Sequence, residues 1–462
     1  MRLICSPVPG VTQSRVWVAM STTTPVPPAN QPAAPHGRRS LRGRLTPADF
    51  DVVLFGLSAL FALVVALGSS IPLYRQWGQI ALGPYLLATG VALLLAVRSR
   101  RRSVLVGRYI LTSLVIVGTA VIPMSFEIAW RFAVTPQALH VQPEVVVVEH
   151  AAGLVVHGHD PYQAVVVNGH LEGRFVGEPD YEAFFPYLPA MTVFGLPAAT
   201  TLNPRFTDAR IFFVASTLLC VALALIYARA RPDRRLRALQ VAVALPWATL
   251  AMATGGDDLP IIGLLLVAMV LAQRRRPGWA GLVLGLASAM KFTAWPLAAL
   301  ALFAARDRSG KPAPLRMLLG IVVCTVPLVL LTFIAGPRTF VANVIEFPLG
   351  LSGVASPAGS ALPGHLFVTA FPALHRIFPI VAAVIGIVVL ARYLWRRPPN
   401  DPAKVCQVAG VVLLVAILLA PATRIGYLLY PLNFFVWSWM LTDDAPVVQD
   451  AELRSSVAID AS

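Results

Sequence analysis

Runs of about 15 to 20 apolar residues recur along the whole chain, separated by short clusters of arginine, and few folds accept such a sequence. A helix needs roughly 20 mostly apolar residues to cross a bilayer core of about 30 Å. Inside that core every backbone N–H and C=O must find a partner within its own segment, which leaves helices as the solution for runs of this length. Ten runs read as spans: Val52 to Ile71, Ile80 to Val97, Val104 to Ile122, Ile211 to Tyr227, Ala238 to Thr254, Leu259 to Gln273, Met317 to Ala335, Ile377 to Leu394, Val405 to Ala420 and Tyr427 to Leu441. The expected fold class is an all-α polytopic membrane protein, a bundle of about 10 to 12 transmembrane helices. Hydrophobic residues make up 57% of the chain and charged ones 13%, which sets aside a soluble multidomain protein.

The formal charge of +15 does not point to nucleic acid, because the basic residues sit at the ends of apolar runs instead of gathering on one face. Such placement follows the positive-inside rule and orients the chain. Residues 1–48, rich in Pro, Thr, Ala and Arg, read as a disordered cytoplasmic tail, with Met20 as an alternative start. Residues 49–442 form the membrane domain, and residues 443–462 a second cytoplasmic tail. Arg38, Arg39, Arg42 and Arg44 begin the count inside, and Arg98, Arg100, Arg101 and Arg102 return to that side. The third span then places residues 125–186 outside, as a loop carrying eight acids against two bases. Both termini are expected in the cytoplasm of a multi-pass plasma-membrane protein.

Two apolar stretches break the alternation. Tyr187 to Thr200, short and carrying Pro189 and Pro197, reads as a re-entrant or interfacial segment. The stretch between Arg274-Arg275-Arg276 and Arg306-Asp307-Arg308 has basic flanks at both ends, so it reads as a hairpin of two half-helices whose tip lies near Lys291 to Pro296. Non-helical backbone at membrane depth is tolerated only against protein or a water-filled cavity, so this tip should face a site.

Three features converge on the outer side. The long loop holds Gln142-Pro143-Glu144, then His150, then a Gly158-His159-Asp160-Pro161-Tyr162 turn, and later Phe184-Phe185-Pro186-Tyr187-Leu188-Pro189. Gly255-Gly256-Asp257-Asp258 follows the fifth span. Ala280-Gly281-Leu282-Val283-Leu284-Gly285 and Lys291-Phe292-Thr293 form the hairpin. In this order the motifs resemble the polyprenol-phosphate-mannose-dependent mannosyltransferases of the GT-C superfamily, a broad group that includes arabinofuranosyltransferases. The resemblance runs from about Glu127 to Pro296, with Glu144 where that family usually has Asp, Asp258 where it usually has Asn, and Ala294-Trp295 intruding before Pro296.

The resemblance implies glycosyl transfer from a polyprenyl-phosphate sugar, carrying mannose or arabinofuranose, to a glycan or glycolipid acceptor outside the cytoplasm. The departing phosphate is already a stable anion, so one base for the acceptor hydroxyl suffices. Glu144 is the expected base and the reaction should invert the anomeric centre; Glu149 is the rival and Glu127 the next. Read alone, each is an ordinary loop acid. Lys291 is expensive within a membrane and should either face the donor phosphate or snorkel to the interface. Arg424, with Tyr427 beside it, either clamps the same phosphate in a bidentate fork or pairs with a loop acid. His150, Tyr162, Asp258 and His365 complete the cavity candidates, the last two also reading as loop or cap residues.

No cofactor is expected, because His150, His157 and His159 share a polar loop without further ligands at metal spacing; a divalent ion there is the weaker alternative. Four scattered cysteines make no framework. The competing functional class is a secondary transporter or lipid-linked-sugar flippase with a midplane site at Lys291, although no repeat relates two halves of the chain. A third reading, an acyl- or phosphotransferase using His150, lacks a nucleophile.

Overall fold

The computed structural model describes residues 46–99, 103–134, 140–175, 178–305, 313–355 and 357–442. The expected terminal tails therefore lie almost entirely outside the described residues, as do Arg306, Asp307 and Arg308. Helices of eight or more residues are numbered here in chain order. They are α1 (Pro47–Gly68), α2 (Pro72–Ser99), α3 (Leu105–Arg131), α4 (Pro143–Val156), α5 (Ala209–Tyr227), α6 (Pro232–Val243), α7 (Pro246–Thr254) and α8 (Asp258–Gln273). Beyond them come α9 (Pro277–Ser288), α10 (Trp295–Ala304), α11 (Ala313–Ala335), α12 (Pro363–Ala370), α13 (Ile377–Arg396), α14 (Pro402–Leu419) and α15 (Leu429–Leu441).

Seven of the described helices are long and apolar enough to cross a membrane, and α6 with α7 pass the same test together as a pair bent by 46°. The chain is an all-α polytopic membrane protein. α8 and α15 are shorter apolar helices that run between the same two ends of the bundle. These helices lie at the positions the apolar runs predict.

Hydrogen bonds fix which helix ends lie together. At one end, Arg274 Nε donates to the Tyr227 carbonyl, Gln273 Nε2 to those of Arg229 and Leu441, and Arg234 Nη1 to those of Trp439 and Thr442. Arg108 anchors the same end: its Nε donates to Asp51 at 2.5 Å and its Nη1 to Asp233 at 2.9 Å, while Arg237 also reaches Asp51. Asp51 and Arg108 are both buried, so neither charge could remain there without the other. This is the arginine-rich end. The loop after α3, the α7–α8 turn and the α14–α15 connection all emerge at the opposite end.

In α3 the hydrogen-bond ladder widens to a π turn at Val117–Val121. Gly118 lies there against Pro84 of α2, where a Cβ would sit 2.9 Å from the proline ring, and the buried Trp77 Nε1 donates to the Thr119 carbonyl at 2.8 Å. An inserted contact of this kind is a recognised cause of such bulges. The loop after α3 adds α4 and a small hairpin, Val165–Val167 paired antiparallel with His170–Glu172. Asn168 and Gly169, both at positive φ, make the two-residue turn that suits this twist.

Both irregular segments behave as their flanks require. Leu188 N and Ala190 N donate to the carbonyls of Met290 and Ala289, and two short 3-10 turns carry the chain on to Ala199 without crossing. α9 and α10 make the hairpin: Ala304 and Ala305 come back beside Arg275 and Pro277 around one small crevice. α9 packs on α11 through glycine. A Cβ on Gly281 would lie 2.1 Å from the Met317 carbonyl oxygen and one on Gly285 2.7 Å from that of Ile321. Small residues let helices approach where lipid offers no hydrophobic drive. Gly281→Ala is therefore expected to destabilise the protein by about 1 to 3 kcal/mol through overpacking, read as a lower thermal midpoint in detergent; an unchanged midpoint would refute the close approach.

Candidate functional site

A cavity of about 780 Å³ opens at the end of the bundle opposite the arginine-rich one. That size suits a small-molecule or cofactor site. α1 and α7 give it an apolar flank of Phe61, Val65, Trp247 and Leu250, and the helix starts and connections at that end give it Glu144, Asp257, Asp258, Glu182, Arg424 and Tyr427.

Glu144 stands in the first turn of α4, where Pro143 starts the helix and the free N–H groups favour an anion. Gln142 holds this start in place, its N–H donating to the Thr254 carbonyl at 3.1 Å and its Nε2 to Tyr74 Oη at 2.7 Å. Arg424 Nη1 donates to Glu144 Oε1, joining two residues 280 positions apart. Oε2 of Glu144 is buried and has no hydrogen-bond partner among the described residues. One oxygen of the carboxylate is thus engaged by a cation while the other still has its acceptor capacity.

The second cluster surrounds Lys291. Its ammonium donates to Asp257 Oδ1 at 2.7 Å and Asp258 Oδ1 at 2.6 Å, and it lies over the rings of Tyr187 and Tyr427 at 5.0 and 5.8 Å. Asp258 also accepts from Tyr430 Oη, which accepts from Thr293. Gly255 makes this turn possible: its φ of 115° is a left-handed helix cap, and a Cβ would sit 2.2 Å from Val145 of α4. The two aspartates reach the cavity wall, whereas Lys291 is buried behind them and does not line it. The ammonium expected to meet a lipid phosphate is held between two carboxylates.

The remaining candidates disperse. Glu149 accepts from Arg131 Nη1 and Nη2 at 3.2 and 2.7 Å and from the Ala209 N–H at 2.9 Å, so both its oxygens are committed away from the cavity. Arg131 and Arg210 in turn grip Asp208. Glu127 is buried against His140 Nδ1 at 3.0 Å. His150 lies against Phe175, with Glu178 at 3.3 Å, beside a crevice too small for a ligand; burial pushes its imidazole below the ordinary range. Tyr162 is buried, donating to the Tyr187 carbonyl at 2.8 Å. His365 Nδ1 meets the Pro421 carbonyl at 2.8 Å, behind the cavity-lining Gly359. Among the described residues no three His, Cys, Asp or Glu side chains converge to hold a metal.

Two cavity residues escaped the sequence. Asp257 was visible only as the neighbour of Asp258. Glu182 was one loop acid among eight; in the fold it is buried at the wall, where burial and the nearby Glu178 charge push its carboxyl up to about 7.

A family model, Glycosyltransferase family 87, matches residues 185–421, more than half of the chain. That span includes Asp257, Asp258, Lys291 and His365 and stops short of Glu144 and Arg424 on either side. Among solved structures, the crystal structure of ArnT from Cupriavidus metallidurans in the apo state is 16% identical, with 69% of this chain and 58% of that chain covered and a TM-score of 0.39. This chain thus spans less than two thirds of that one, and a likeness so distant carries no argument about the site. No curated protein matches.

Proposed function

The chain belongs to glycosyltransferase family 87, a GT-C fold family, and from that premise we propose that it moves mannose or arabinofuranose from a polyprenyl-phosphate donor to a cell-envelope glycan or glycolipid. The cavity would face the outside of the plasma membrane, with both termini cytoplasmic, as the arginine-rich opposite end favours. The observation that carries this reading is the Glu144 carboxylate, half engaged by Arg424 and half unpartnered, at the wall of a cavity with an apolar flank.

The donor's isoprenoid chain would lie along Phe61, Val65, Trp247 and Leu250, and its phosphate would compete with Glu144 for the Arg424 guanidinium, with Tyr427 alongside. Engaging the phosphate would free Glu144. The acceptor hydroxyl then attacks the anomeric carbon from the face opposite the phosphate, and its proton passes to Glu144. The bond between sugar and phosphate oxygen breaks, polyprenyl phosphate leaves, and the anomeric centre inverts. Lys291 takes a positioning role, holding Asp257 and Asp258 where they can accept hydrogen bonds from sugar hydroxyls.

Incubating the purified protein with radiolabelled polyprenyl-phosphate mannose or arabinose and crude envelope glycolipid tests the reading. Label should appear in glycolipid with one of the two donors. Transfer with neither, alongside movement of intact donor across reconstituted vesicles, would establish a flippase instead. Arg424→Met should raise the apparent KM for donor roughly 10- to 100-fold, the loss of a hydrogen bond to a charged group. An unchanged KM would take Arg424 out of donor binding.

A further inference from the structure

At the arginine-rich end, far from the catalytic cavity, a groove of about 550 Å³ lies between α9 and α11. Its mouth carries Arg275, Arg276 and Arg316, and none of the described residues that line it is acidic. Arg275 and Arg276 are exposed and make no side-chain hydrogen bond or ion pair among the described residues. The first turn of α9 opens at the same place, adding backbone N–H groups that have no acceptor within the helix. Deeper in, the walls become apolar, with Leu282, Leu319 and Val323, the last two exposed on the surface that faces lipid. Trp279, 64% exposed, stands at the boundary, as aromatic side chains do at membrane interfaces.

The backbone at Arg275 fixes where its side chain leaves the helix end. α8 ends in a hydrogen-bond pattern in which Arg276 N–H donates to the Leu271 carbonyl and Arg275 N–H to that of Ala272, both at 2.9 Å. In this motif the residue at position 275 adopts the left-handed conformation and is usually glycine. Here it is arginine, at φ 58°. A cationic side chain thus stands at the groove mouth where glycine is the usual choice.

We infer that this groove binds an anionic phospholipid, its headgroup phosphate on Arg275 and Arg276 and its acyl chains along Leu282, Leu319 and Val323. Charge selects the ligand class, since the exposed Arg275 and Arg276 above an apolar trough match an anion attached to hydrocarbon, and no described lining residue offers a carboxylate to a zwitterion's cationic group. The site is independent of the transfer reaction and of which sugar is carried.

Native mass spectrometry and thermal unfolding of the full chain in neutral detergent, with added phosphatidylglycerol or phosphatidylcholine, test the inference. Phosphatidylglycerol should be retained and raise the midpoint, and phosphatidylcholine should do neither. Arg276→Gln should weaken phosphatidylglycerol binding about tenfold, the loss of one charge-assisted hydrogen bond. Arg275→Gly should weaken it equally, while its midpoint without lipid stays level or rises, because glycine suits that backbone. Equal binding of the two lipids, a matching shift from inorganic phosphate alone, or undiminished phosphatidylglycerol binding by the double variant would overturn it.

Discussion

Replacing Glu144 by glutamine is expected to lower turnover by roughly 10²- to 10⁴-fold, the contribution typical of a positioned general base. Glutamine keeps the shape and an oxygen that can accept from Arg424, but it cannot take the acceptor's proton at neutral pH. The fold should tolerate the change, because Arg424 is 29% exposed and water can solvate the guanidinium left without its counter-charge. Glu149→Gln makes the contrast. There the carboxylate holds Arg131 in a bidentate pair and accepts from the Ala209 N–H at the start of α5, so the loss should appear first as a lower thermal midpoint. Turnover by radiolabel transfer, set beside thermal unfolding of each variant, separates the two roles. A Glu144→Gln protein that keeps more than about a tenth of wild-type turnover would not have lost its base.

Why sequence reasoning could name both acids and not choose between them follows from helix geometry. At 3.6 residues per turn, five positions rotate a side chain by about 500°, leaving the two roughly 140° apart around α4. One therefore points to the cavity and the other to Arg131. Deciding which is which needs the packing of α4 on the bundle, and no local pattern encodes it. The spans themselves were readable, because each depends on a continuous apolar run, and the arginine clusters exposed the two segments that could not cross. Tyr187 to Thr200 stays at the cavity end, and the hairpin at Lys291 returns to the arginine-rich one, as basic flanks at both ends demand.

Long-range pairing is what the sequence hides. Arg424 was open to a phosphate or a loop acid, and only the fold brings it to Glu144. Lys291 drew notice because a charge inside a membrane needs a partner, yet its partners lie 33 and 34 positions away, across the two helices α8 and α9. Gly255-Gly256-Asp257-Asp258 advertised a turn; that both aspartates bend back on one ammonium depends on Gly255 packing against Val145 of α4.

From that arrangement the effect of Lys291→Met follows. Methionine matches the length of the side chain but leaves Asp257, 3% exposed, and Asp258, 18% exposed, facing each other without a cation. Removing one partner from a buried charge cluster costs about 3 to 5 kcal/mol, a large fraction of the stability of most folded proteins. The expected result is a marked fall in thermal midpoint and yield. Combining Lys291→Met with Asp257→Asn should recover part of it, since one of the two stranded charges is gone and the amide can still hydrogen-bond. If Lys291 acted on donor phosphate alone, the single variant would keep its midpoint and lose only donor affinity, and the second substitution would rescue nothing. Measuring midpoint and donor KM on the single and double variants therefore decides whether this lysine supports the cavity wall or works inside the cavity.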